Sequence, residues 1–227
     1  DLQKDLGLAL TEPNAGSEAS NIETTARRVG DTYILNGMKR YITNAPIADL
    51  FTVLARTEDG TTGSKGITAF IVERGFEGLS TSAPYKMMGQ AGSPVGEIYF
   101  NDCRVPAENV IGGQEGVGFK TAMKVLNKQR IHLSALCTGP AIRMLELAMD
   151  HASDREQFGQ KVIDFQLVAA LLADCRAEIE AAKQLVLATA RSRGEGRDIA
   201  LEASICKYFA SEMCGRVADR CVQVFGG

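Results

Sequence analysis

The spacing of apolar and polar residues changes period once along this chain. Up to about residue 110 the apolar residues come in short runs broken by turn-forming residues. Within Thr32–Thr43, Asn36-Gly37 separates two short apolar runs, which predicts a hairpin turn at that dipeptide. Phe51–Arg56 and Ile67–Val72 predict further strands on either side of the Gly/Thr/Ser-rich segment 59–66, and Gly96–Phe100 predicts another that ends before Asn101-Asp102. Short strands at this spacing predict an antiparallel β-sandwich or barrel. Beyond Pro106 the glycine-rich stretch Gly112–Gly118 reads as a loop, and helical spacing then runs to about residue 150. Phe165, Val168, Leu172, Cys175, Ile179, Ala182 and Val186 form an amphipathic stripe that ends near Arg193-Gly194, and Leu201, Ile205, Tyr208, Met213, Val217 and Cys221 predict a third helix. The expected architecture is α+β and multi-domain: a β domain over residues 1–110, then an up-and-down helical bundle over 111–227, read as incomplete.

Composition narrows the classes of function. The 227 residues are 45% hydrophobic and 23% charged, as in a globular chain with a core, and could make one large domain or two ordinary ones. A formal charge of −3 without a basic stripe argues against nucleic acid as a partner. No apolar run reaches membrane-spanning length, so no stable membrane insertion is expected. The six cysteines form no CxxC pair and lie mostly in helical patterns; they read as core thiols of a reducing compartment, the cytoplasm or, in a eukaryote, the mitochondrial matrix. With His132 and His151 the only histidines, both read as helix-surface or interface residues and no metal site is expected. Gly113–Thr121 nearly matches a phosphate-binding P-loop, but Phe119 stands between Gly118 and Lys120 and would swing the lysine away from the phosphates. The chain opens on Asp1 without a methionine and stops at Phe225-Gly226-Gly227 just after a helical pattern, so it reads as a fragment.

Two phrases carry the candidate chemistry. Leu10-Thr11-Glu12-Pro13-Asn14-Ala15-Gly16-Ser17 is a polar loop that offers backbone N–H groups and hydroxyls. Tyr41-Ile42-Thr43-Asn44 sets an aromatic ring and a hydroxyl two residues apart, on one side of a strand. Together they suit a flat polar heterocycle, with donors at its edge and a ring near its face. Taken with Phe100–Pro106, Asp154–Lys161, Phe165-Gln166 and Gln223–Gly227, and in this order, they resemble the acyl-CoA dehydrogenase family over essentially the whole chain.

The resemblance implies FAD as cofactor and assigns roles by position. Leu8, Leu10, Thr11, Gly16 and Ser17 would line the flavin, with Leu10 and Thr11 at its pyrimidine edge and Ser17 where the flavin phosphates and the thioester end of the CoA arm converge. Tyr41, in place of a common Trp, would lie against the isoalloxazine, with Ile42 beside it and Thr43 bonding near N5. Arg155, Gln157, Phe165, Gln166, Gln223, Gly226 and Gly227 would reach the adenosine and pyrophosphate end of the flavin in a neighbouring subunit of a homotetramer. Asn127 and Arg130 fall where the family contacts acyl-CoA. The implied reaction is α,β-dehydrogenation of an acyl-CoA thioester, with electrons passed to an electron-transfer flavoprotein. One departure stands out: Gln129 occupies the position from which a minority of the family takes its catalytic base, and an amide cannot accept a proton at neutral pH. The base is therefore expected beyond Gly227, and the fragment alone is expected to be inactive. Alternatives on the same scaffold are a flavin oxidase or monooxygenase, or a non-catalytic acyl-CoA-binding relative.

Overall fold

The computed structural model describes residues 5–58 and 60–226 and divides into two compact units, Asp1–Met123 and Lys124–Gly227.

The first unit is built on β1 (Leu6–Ala9), β2 (Thr25–Val29), β3 (Thr32–Thr43), β4 (Leu50–Arg56), β5 (Ile67–Glu73), β6 (Leu79–Thr81) and β7 (Val95–Pro106). They join in the order β1-β4-β2-β3-β7-β6, with β5 on the other edge of β4. The sheet is mixed rather than antiparallel throughout: β1 runs parallel to β4, from Leu6 opposite Leu50 to Ala9 opposite Val53, and β2 meets Arg56 of β4 in parallel at Thr25. The reason is topological. The chain leaves β1 through the long loop that contains Leu10–Ser17, makes the β2–β3 hairpin, and only then returns as β4 beside β1. Leu35, Phe51, Val53, Phe70, Val72, Ile98 and Val105 fill the core beneath the sheet. Val53, Leu54 and Ala55 are all buried, so β4 is covered on both faces as a central strand must be.

Asn36-Gly37 does not turn the chain. The hairpin closes instead at Gly30-Asp31, where Val29 pairs with Thr32, and β3 continues unbroken through Asn36 and Gly37. The same dipeptide serves a bulge: Leu35 faces Cys103 and Gly37 faces Phe100, so Asn36 stands opposite both Asn101 and Asp102. Asn36 bonds both the side chain and the backbone N–H of Asp102, whose φ of 48° takes up the extra residue. Gly37, at φ 145°, passes so close to Thr24 that a Cβ would lie 2.6 Å from its hydroxyl. For the same reason β7 runs on through Asn101-Asp102 to Pro106 instead of stopping at Phe100.

In the second unit, α1 (Gly118–Asp154, begun in the first unit), α2 (Gln166–Gly194) and α3 (Ala200–Phe225) are the long helices, with a small hairpin of β8 (Glu156–Gln157) and β9 (Gln160–Lys161) after α1. Leu145, Leu172, Cys175, Ile179, Met213, Val217 and Cys221 form the core. The α2 stripe buries Leu172, Cys175, Ile179 and Ala182 as its spacing predicts. On α3 the buried seam is Ala203, Cys206, Ala210, Met213, Val217, Cys221 and Val224, while Leu201, Ile205 and Tyr208 are 70%, 48% and 69% exposed. Ile205 lies two residues past Ala203, about 200° round the helix, so the larger apolar residues of the first turns face away from the small-residue seam. Glu178 of α2 accepts from Arg216 and Arg220 of α3, each at 2.7 Å, and ties the two helices together.

Candidate functional site

In the first unit the sequence-predicted residues meet where the loop after β1 crosses β3. Glu12 and Ala15 exchange backbone hydrogen bonds, at 3.1 and 3.2 Å, and pinch Pro13-Asn14 into a tight turn. The Arg40 N–H donates to the Thr11 carbonyl at 2.8 Å, so the loop is stitched to β3 beside Tyr41. Thr11 is half-buried, Gly16 and Ser17 are exposed, and a Cβ on Gly16 would meet nothing within 4 Å. Tyr41 is 62% exposed and Thr43 is exposed, while Ile42 between them is buried. Leu10 is buried too, so Leu10 and Ile42 can offer a ligand only their main chains; Leu8 is half-buried. An exposed ring and hydroxyl beside an exposed polar loop form the surface that a flat heterocycle requires.

The loop is held from below by a buried ion pair that sequence reasoning missed. Lys39, with no exposure, donates to Glu12 at 2.6 Å and to the Leu10 carbonyl at 3.2 Å. The Glu12 carboxylate also accepts the backbone N–H groups of Glu23 (2.5 Å) and Thr24 (3.1 Å). Burial pulls Lys39 down to about 8, against the upward pull of Glu12. Burial would push Glu12 up, but the Lys39 charge and the hydrogen bonds from Lys39, Thr24 and Glu23 together hold it below its ordinary value. Beside Tyr41 lies a second missed group: Glu97 accepts from the hydroxyls of Tyr85 and Tyr99 and from Arg40 Nε at 2.8 Å. Those bonds, Tyr85 first, hold Glu97 down at about 2. The signal for Glu12 was its place inside the polar loop motif; for Glu97 it was a lone acid in an otherwise apolar run.

In the second unit Arg155 and Gln157 are exposed on the small hairpin. Its turn, Phe158-Gly159 at φ 54° and 78°, is a two-residue primed turn that fits the twist of paired strands. Phe158, which sequence reasoning did not single out, is 95% exposed, with its ring edge-on to the half-buried Phe165 at 6.3 Å. Gln166 is exposed at the start of α2. Gln223 and Gly226 are exposed at the end of α3, where the Gly226 N–H, at φ 79°, caps the carbonyls of Val222 and Gln223. The His151 ring at the end of α1 packs on Phe225 at 4.6 Å and brings the hairpin and the α3 terminus to one end of this unit. Gly227 lies outside the described residues. Arg130 donates to Asn127 at 2.6 Å, and an open groove of about 570 Å³ beside them is lined by Leu126, Gln129, Arg130, His132, Leu133 and Leu136. Gln129 is thus next to Arg130 but offers only an amide. Among the described residues no helix is long and apolar enough to cross a membrane, and no three His, Cys, Asp or Glu side chains group as a metal site.

The chain is thus a mixed-sheet unit followed by a unit of long helices. The middle-domain model of acyl-CoA dehydrogenase matches residues 7–103, and its C-terminal-domain model matches residues 116–227. The caffeyl-CoA reductase-Etf complex subunit CarC of Acetobacterium woodii is 40% identical over 99% of this chain and 59% of its own length. The structure of butyryl-CoA dehydrogenase from Megasphaera elsdenii superimposes with a TM-score of 0.95 at 42% identity, over 99% of this chain and 58% of that one. A structure of PigA with FAD and proline superimposes with a TM-score of 0.94 at 33% identity, over 98% and 57%. This chain belongs to the acyl-CoA dehydrogenase family, a family of flavin-dependent oxidoreductases. It spans somewhat under three fifths of the length of these relatives.

Proposed function

We propose that this chain serves the FAD-dependent α,β-dehydrogenation of an acyl-CoA thioester, with electrons passed on to an electron-transfer flavoprotein. The observation that carries the reading is the stitching of the Leu10–Ser17 loop to β3 beside the exposed Tyr41 and Thr43. The residues present fit FAD: a ring for its flat face, hydroxyls and main-chain groups for its edge, and Arg155 with its planar fork for a pyrophosphate. When bound, FAD supplies the hydride acceptor for the β hydrogen.

The chain's own share is to bind, orient and exclude water. Leu8, Leu10, Thr11, Gly16 and Ser17 line the flavin with Tyr41, Ile42 and Thr43. Arg155, Gln157, Phe165, Gln166, Gln223 and Gly226 hold its adenosine and pyrophosphate end in a neighbouring subunit of a homotetramer. Ser17, Asn127 and Arg130 contact the acyl-CoA. In functional terms the β part ends near residue 110 and the helical part follows. No residue here takes the α proton: Gln129 is the wrong chemical type. The pairing with an electron-transfer flavoprotein is supported by the name of the Acetobacterium relative, which joins a CoA thioester and an Etf complex.

Anaerobic titration of the holoenzyme with a series of saturated acyl-CoA thioesters tests this. Bleaching of the flavin band by at least one thioester, with reoxidation by electron-transfer flavoprotein faster than by air, is expected. No bleaching by any of them overturns the reading, and rapid reoxidation by air alone moves it to a flavin oxidase. Gln129→Ala is expected to leave α-proton exchange largely intact, whereas its loss would put the base, or its support, at this position.

A further inference from the structure

We propose that Glu97 is a positioning residue that fixes the Tyr41 ring, and with it the surface on which the flavin lies. The proposal rests on the reading that Tyr41 faces the flavin. Between Lys39, opposite Ile98, and Ile42, opposite Gly96, β3 carries one residue more than β7, so Arg40 and Tyr41 together face Glu97 alone. This is a two-against-one bulge, and Tyr41 absorbs it at φ 57°, a conformation unfavourable for an aromatic residue. A strained backbone persists only where its surroundings over-determine it.

Here the surroundings converge on one carboxylate. Glu97, 8% exposed, accepts from Arg40 Nε at 2.8 Å and from the hydroxyls of Tyr85 and Tyr99, while its own N–H donates to Ser82 Oγ at 2.9 Å. Two of its donors touch Tyr41 directly. The Arg40 guanidinium carbon lies 5.7 Å from the Tyr41 ring centroid, and the Tyr85 ring packs tilted against it at 5.5 Å. Tyr41 therefore has a cation on one side and a ring on another, both anchored to Glu97. The hydrogen bonds from Tyr85, Tyr99 and Arg40 hold Glu97 down at about 2, so it is charged at neutral pH. A solvent-facing ion pair would have little consequence beyond itself; a shared acceptor for both supports of Tyr41 controls that ring's orientation.

Flavin fluorescence of the holoenzyme separates the possibilities, because a tyrosine ring in contact with an excited flavin quenches it by electron transfer and a phenylalanine does not. Tyr41→Phe is expected to raise the emission several-fold. Glu97→Gln and Glu97→Ala, which leave Tyr41 in place but unbraced, are expected to raise it part of the way and to broaden the lifetime distribution. In the Tyr41→Phe background the same substitutions are expected to add nothing. If Tyr41→Phe leaves emission unchanged, Tyr41 does not face the flavin and the underlying reading falls. If Tyr41→Phe raises it and the Glu97 variants stay at wild type, or raise it equally in both backgrounds, the positioning role is overturned while the reading stands. Should the Glu97 variants not fold, Tyr85→Phe, which keeps the ring and removes only its bond to Glu97, carries the test with the same two outcomes.

Discussion

Lys39 is a cation on the inward face of a strand, directly beneath the loop proposed to meet the cofactor, and among the described residues its charged partner is Glu12. Removing one member of a buried pair leaves the other uncompensated, so Lys39→Met or Glu12→Gln is expected to cost about 3–5 kcal/mol, read from urea unfolding. The pH dependence follows from the shifts. Glu12 and Glu97 both lie below their ordinary 4.5 when folded, so the stability they add is complete above that value and is lost as pH falls through their lowered values, about 2 for Glu97. Glu97→Gln is expected to flatten the acid limb of the unfolding midpoint between pH 4.5 and about 2. Lys39 acts in the same sense at higher pH: between about 8 and 10.5 the unfolded chain binds the extra proton, so stability gains with pH there. Cys103, pushed up by burial from 9.0 to about 11, works against that gain at higher pH. Neither Lys39 nor Glu97 was legible as a structural anchor in the sequence. A charged strand residue reads as outward-facing until the register is known, and the bulge at Arg40-Tyr41 resets that register beside both of them.

At the scale of elements, the bounds of the three long helices and the positions of β4 and β5 were legible, because periodicity and breaker residues agree there. Asn36-Gly37 was not, since the residue types that close a tight hairpin are also those that tolerate a bulge; what decides is the partner strand, where Asn101-Asp102 supplies the extra residue. Gly37→Ala is expected to destabilise the first unit by about 1–3 kcal/mol, from its φ of 145° and from the closeness of Thr24, again read from urea unfolding. Asn36→Ala loses only the two bonds to Asp102 and is expected to cost less. On α3, reading apolar side chains by size picked the wrong face for the first turns. The seam there is made of the small residues Ala203, Cys206 and Ala210, which a reading by side-chain size passes over.

For the whole molecule, the sequence anchors were enough to recognise the family because they recur in order across both units, whereas each alone is an ordinary turn, strand or helix end. The base that the proposed reaction needs was not legible, since Gln129, beside Arg130, offers only an amide. The proposed cofactor contacts fall in both units, so loss at either should loosen the flavin. Arg155→Ala is expected to weaken FAD retention by roughly 1.5–3 kcal/mol, the worth of hydrogen bonds to a charged group, measured by titrating FAD into the apoprotein. The parallel pairing of β1 with β4 has a kinetic consequence. Leu6 has no partner until the chain has been made as far as Leu50, and closing so long a loop costs entropy before any contact offsets it. The β2–β3 and β4–β5 ribbons join neighbours in sequence and can zip first, so β1, with the Leu10–Ser17 loop trailing from it, docks last. The loop proposed to line the flavin is then completed only at the close of folding, and pulse-labelled hydrogen exchange should find the β1 amides protected after those of β4.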